Sequence, residues 1–137
     1  MEVILDSSIL IAGERRGDSI AEVLERVESM CGRASAVLSA VTAVELKHGI
    51  YRAKTEADRE RRKYFLEELF RALPLHPLTL EIARLAGRIH GEQANRGVGV
   101  GFADLLIGAT ALHLGCDVVT LNVRDFQRIP GLKVMTM

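Results

Sequence analysis

Three apolar residues, Val3 to Leu5, run into a carboxylate, Asp6, and the chain turns apolar again after two hydroxyls, Ser7 and Ser8. The run at 2–5 predicts a short buried strand, and "SSILIAGE" has the makings of a first helical turn or two. Ile20, Val23, Leu24, Val27 and Met30 recur at helical spacing, which predicts an amphipathic helix over 17–30. "SAVLSAV" (35–41) predicts a second strand, followed by two successive helices over 42–54 and 55–73. A short strand at 73–78 is bracketed by Pro74 and Pro77. Residues 79–97 place Ile82, Leu85, Ala86 and Ile89 on one helical face and stop at Gly97, a residue that suits a helix end. "VGVG" (98–101) reads as a flexible connector. Residues 102–115 are apolar nearly all round, with small Gly108, Ala109 and Ala111, which predicts a helix buried by close neighbours. Strands at 116–121 and 132–136 complete the chain. Strands alternating with helices predict an α/β fold with a central parallel sheet flanked by helices.

In such sheets, ligands gather beyond the carboxyl ends of the strands. Asp6 stands at that end of the first strand. Glu45 lies one turn into the helix after the second strand, and Asp104 lies in the first turn of the apolar helix. Asn122 and Asp125 follow the fourth strand, in "TLNVRDF". All can converge on one edge. Carboxylates brought together repel and hold their protons more tightly unless a cation neutralises them. Hard oxygen ligands of this kind suit Mg²⁺ or Mn²⁺.

Each acid also has a structural alternative. Asp6 can cap the following helix, with Ser7 or Ser8 able to take its place. Glu45 is the third residue after Thr42, and "TAVE" matches a capping box. Asp104 can complement a helix dipole. Asp125 can act as a cap, or pair with Arg124 or Arg128. If 122–126 form a helical turn, Asn122 and Asp125 share a face.

Composition narrows the classes. With 137 residues, 48% of them hydrophobic and 26% charged, the chain can bury a core as one globular domain. It has no run of about 18 uncharged apolar residues, so no membrane span is expected. Glu2 is acidic where a signal peptide would carry positive charge, and a cytoplasmic location is the default expectation. Cys31 and Cys116 lack metal-ligand spacing and read as two free, buried thiols. The four histidines show no i, i+4 pair, which argues against zinc. Net charge is zero, against a protein coated in basic surface, although 14 of the 18 basic residues are arginine. The Arg-rich segment at 51–70 reads either as a solvated face with intrahelical ion pairs or as an arm contacting RNA or a partner protein. Tyr64, Phe65 and Phe70 there serve either a subunit contact or the monomer core.

The order "ILDSSIL", "SAVTAVELKHGI" and "GFADLLIGATALHLGCDVVTLNVRDFQRIPGLKV" resembles the PIN domain, specifically the VapC-type toxins of toxin–antitoxin pairs. The resemblance covers essentially the whole chain. It implies a single PIN domain over 1–137 with a Rossmann-like α/β/α sandwich, metal-dependent endoribonuclease activity on RNA, a homodimer, and a cognate antitoxin as partner. Matched by position, Asp6, Glu45 and Asp104 are the implied ligands of Mg²⁺ or Mn²⁺. Ser7 or Ser8 supplies the hydroxyl common after the first acid, and Thr120 matches a threonine often found beside the site. Asn122 stands where the family often has Asp, which leaves Asp125 as a candidate for the fourth acidic position. Two rivals remain. One is a non-catalytic partner-binding module on the same fold, its acids retained as caps. The other is a phosphate-accepting receiver domain, which usually has paired acids after its first strand and a lysine after its fifth. Here serines follow Asp6 and no matching lysine is evident.

Overall fold

The computed structural model describes residues 1–136. In chain order the elements are β1 (Glu2–Leu5), α1 (Ser7–Arg16), α2 (Ile20–Cys31), β2 (Ser35–Ser39), α3 (Ala40–Tyr51), α4 (Glu56–Ala72), β3 (Leu75–His76), α5 (Leu80–Asn95), α6 (Phe102–Leu114), β4 (Asp117–Val119), α7 (Val123–Phe126) and β5 (Val134–Met135). The strands form one sheet in the order β3-β2-β1-β4-β5, with every pairing parallel. The chain winds outward from β1 to one side, then crosses back and winds to the other. The switch point falls between β1 and β4, where open α/β sheets form a crevice at the carboxyl ends.

Successive side chains of a strand point to opposite faces, so β1 feeds two cores. Val3 and Leu5 pack with Leu10, Val23 and Leu69 from α1, α2 and α4. Ile4 packs with Ile82, Ile107 and Phe126 from α5, α6 and α7. A strand buried on both faces reads as a continuous apolar run, which is what residues 3–5 show.

Several elements differ from expectation for physical reasons. α1 runs ten residues rather than a turn or two. Asp6 caps its start, and Gly17, left-handed at φ 83°, ends it by donating its N–H to Glu14 and Gly13 carbonyls. Between them, the bare Cα of Gly13 lets Val23 of α2 approach closely. β2 stops at Ser39, because the Ser39 hydroxyl accepts the Val41 N–H at 3.1 Å and opens α3 early. Residues 98–101 form a fastened connector, not a flexible one. The Val98 N–H bonds the Gln93 carbonyl at 2.8 Å, Gly99 O accepts from Arg128 at 3.1 Å, and Val100 is buried. α6 is buried on the close contacts its small residues predict, with Ile129 and Leu132 against Gly108. Both cysteines are free thiols, but only Cys116 is buried; Cys31 is half-buried. Among the described residues, no helix is long and apolar enough to cross a membrane.

Candidate active site

Parallel pairing extends one residue past β1 and β4. The Asp6 N–H bonds Val119 O at 3.0 Å, and the Thr120 N–H bonds Met135 O at 2.9 Å. Asp6 and Thr120 thereby sit side by side at the switch point, and both are buried. Thr120 Oγ1 donates to Asp6 Oδ2 at 2.9 Å, Ser8 Oγ donates to the same oxygen at 2.7 Å, and the Ser8 N–H reaches it at 3.4 Å. The two hydroxyls are held in turn: Ser8 Oγ accepts the Leu121 N–H at 3.0 Å and Thr120 Oγ1 accepts the Asn122 N–H at 2.9 Å. Their mutual distance of 3.3 Å adds no further bond, since each proton is already on Asp6. All these donors fall on Oδ2, and none is recorded on Oδ1. Asp6 therefore caps α1 as the structural alternative required, and still has an oxygen to offer.

Glu45 is not part of a capping box. With Ser39 at the cap of α3, Thr42 lies inside the helix, its hydroxyl buried without a hydrogen-bond partner. Glu45 Oε1 instead accepts from Ser7 Oγ at 3.0 Å, a contact across 38 residues. Asp104 lies in the first turn of α6, whose cap residue Gly101 supplies no side-chain bond. Asn122 occupies the cap position of α7, also without a side-chain cap bond, and Asp125 lies in that helical turn as the i, i+3 spacing predicts. Buried Phe126 and Ile129 fasten this turn to the second core.

The electrostatics join these groups. Burial pushes the Asp104 carboxyl up to about 6, with the charges of Asp6 and Asp125 adding to it. Glu45 is also raised, first by burial and further by Asp6 and Asp104, against the lowering effect of the Ser7 hydroxyl. Among the described residues, none of these four carboxylates has a Lys, Arg or His within ion-pair distance. The structure thus puts Glu45 in the field of Asp6 and Asp104, and Asp104 in that of Asp6 and Asp125, with Ser7 donating to Glu45 and Ser8 and Thr120 to Asp6. Asn122 stands exposed at the rim.

The chemistry of the set fits a hard divalent cation: only carboxylate oxygens, several of them without protein donors, and no competing base. Among the described residues, no three His, Cys, Asp or Glu side chains are yet gathered as they must be to hold an ion. Sequence reasoning left open whether Ser7 or Ser8 supplies the hydroxyl beside Asp6. The local bond gives that place to Ser8, and the contact across 38 residues gives Ser7 to Glu45.

Residues 3–132 match the PIN domain, and the chain belongs to that family. Its relatives there are ribonucleases. It is 34% identical over 137 residues to ribonuclease VapC1 of Rickettsia felis, covering all of this chain and 97% of that one. It is 34% identical over 97 residues to the tRNA(fMet)-specific endonuclease VapC of Salmonella typhimurium, covering 71% of each. Among solved structures, DNA-bound VapBC from Salmonella typhimurium superposes with a TM-score of 0.82 at 26% identity, covering 99% of this chain and 98% of that one.

Proposed function

We propose that this protein is a divalent-metal-dependent endoribonuclease and the toxin of a toxin–antitoxin pair. The observation that carries the metal-site reading is the set of partly buried carboxylates without a basic partner, in a chain of the PIN family. The ribonuclease relatives supply the reaction class.

Asp6, Glu45 and Asp104 would hold Mg²⁺ or Mn²⁺, and Asp125 would reach the same site directly or through a water. When bound, the ion acidifies a coordinated water and stabilises charge on the scissile phosphate. The protein's part is orientation. Ser8 and Thr120 hold Asp6 through Oδ2 and leave Oδ1 without a donor among the described residues, while Ser7 holds Glu45 by one oxygen. A carboxylate not committed to the ion takes the proton of the attacking water. Asn122 supplies a neutral oxygen where relatives often have a charged one, so one ion is held firmly and a second weakly, or only with substrate phosphate present.

The partner is a cognate antitoxin, supported by the solved neighbour being a VapBC complex. A homodimer is the expected assembly. Exposed Tyr64 and Phe70 are available for it, whereas Phe65 is buried in the monomer. Sedimentation as a monomer at micromolar concentration refutes that assembly. Cleavage of RNA, including tRNA, with and without EDTA tests the activity. Cleavage that survives both chelation and Asp104→Asn overturns the proposal.

A further inference from the structure

Along α4, every acid with a base three residues on is ion-paired to it, although Glu81 and Arg84 of α5, at the same spacing, are not. Glu56–Arg59 lies at 3.0 Å, Asp58–Arg61 at 2.8 Å, Glu60–Lys63 at 3.7 Å and Glu68–Arg71 at 2.6 Å. Asp125 and Arg128 have the same spacing and order. The chain keeps winding past α7, with the Arg128 N–H on Asp125 O at 3.4 Å. Yet Arg128 does not pair with Asp125. Its Nη1 donates to the Gly99 carbonyl at 3.1 Å, in the connector that leads into α6 and Asp104.

Two more bonds close the arrangement. The Arg128 carbonyl accepts from Nε2 of Gln93 at 2.8 Å, and the Gln93 carbonyl accepts the Val98 N–H at 2.8 Å. Gln93 is buried in the last turn of α5, and its Oε1 has no partner. A buried amide left half-satisfied carries a desolvation cost, so its placement is not explained by packing alone. It spans the end of α5, the connector and the turn after α7.

We infer that Gln93 and Arg128 form a clasp between the connector that leads to Asp104 and the turn that carries Asp125, and that Arg128 is a positioning residue for the acidic edge, not the counter-charge of Asp125. The inference rests on reading that edge as a metal site. The clasp separates two roles for one cation. A guanidinium on Asp125 would compete with a metal ion; a guanidinium on Gly99 O leaves the carboxylate available and fixes its distance from Asp104.

The two roles predict opposite signs for Arg128→Met, a change at an exposed position that keeps the apolar stem. Loss of a counter-charge tightens cation binding; loss of a clasp loosens it. We expect exchange of the Val98 amide, whose N–H is held by Gln93 O in the same clasp, to accelerate in the metal-free variant by about fivefold, the scale of one hydrogen bond. Mn²⁺ affinity measured by calorimetry falls by a similar factor, while the thermal midpoint falls by no more than about 4 °C. Arg128→Lys, which can still donate to Gly99 O, restores part of both. Unchanged exchange of the Val98 amide, or tighter Mn²⁺ binding, overturns the inference. If the unaltered protein takes up no Mn²⁺, the metal reading falls and the positioning role with it; the exchange rates then judge the clasp alone.

Discussion

The outer helix α4 and the carboxyl edge of the sheet use acidic residues in opposite ways. On α4, Glu56, Asp58, Glu60 and Glu68 each have a base one turn on, and Arg61 also reaches the nearly buried Glu14 at 2.9 Å. Asp18 is also paired, and the Arg16 and Arg26 guanidiniums beside it hold its carboxyl below the usual range. Exposed pairs of this kind contribute little each. At the sheet edge, Asp6, Glu45, Asp104 and Asp125 lie in drier surroundings with no base, and Asp104 is pushed up to about 6. Fourteen arginines are present in the chain, and none is spent there. An uncompensated, partly buried acid destabilises the fold, a cost that the cation of the proposed function would offset.

The largest effect should break this contrast directly. Asp104→Asn lowers RNA cleavage by about 100-fold or more, whereas Arg61→Gln on α4 leaves cleavage unchanged. Gel assays of the two purified variants against the unaltered protein decide this. EDTA should abolish cleavage, and Mn²⁺ should restore it.

The next effect is on stability against pH. The folded protein holds the Asp104 proton up to about 6, above the ordinary value of 3.8. Below 3.8 both folded and unfolded forms are protonated. Between 3.8 and 6 the folded form binds the proton more tightly, so stability from this group falls as pH rises through that window and stays low above it. The metal-free protein should therefore lose thermal stability across this range. Asp104→Asn should flatten the dependence, and the rise in midpoint on adding Mn²⁺ should grow with pH. A midpoint that Mn²⁺ leaves untouched at pH 7 contradicts the site.

A smaller effect sharpens the contrast at its rim. Asn122→Asp adds a charged oxygen and should tighten the weaker Mn²⁺ site by about tenfold, while Asp125→Asn should loosen it. Calorimetric titration of both reads the answer, and two equally tight ions in the unaltered protein would show that this loop does not tune the site. The smallest effect concerns α4 itself. Arg59 and Arg62 are already engaged, on Glu56 and on the Ala53 and Gly49 carbonyls. We expect Arg59→Gln to leave RNA affinity unchanged; a marked loss in filter binding would make α4 an RNA-contacting arm.

The sequence by itself determined the order of elements and the places of the acids. Apolar runs and spacing marked the strands and helices such as α2, α5 and α6 because burial imposes them locally, and the alternation of the two marked a parallel sheet. That put Asp6, and the residues around Asn122 and Asp125, just past strand ends, and Asp104 at the start of a buried helix. What it left open were choices between a partner near in sequence and one far away. "TAVE" offers Glu45 a capping box, yet Ser39 takes the cap and Ser7, far away in sequence, takes Glu45. Arg128 lies one turn from Asp125, yet bonds Gly99. The connector at 98–101 is rich in glycine, yet it is fastened. Local bonds of this kind are worth roughly 1 kcal/mol each, so neither alternative wins on its own. The packing of β1 beside β4, and of α5 and α7 around α6, decides which donor reaches which oxygen. Hence the tertiary structure alone separates the acids that have bases from the acids that are left without.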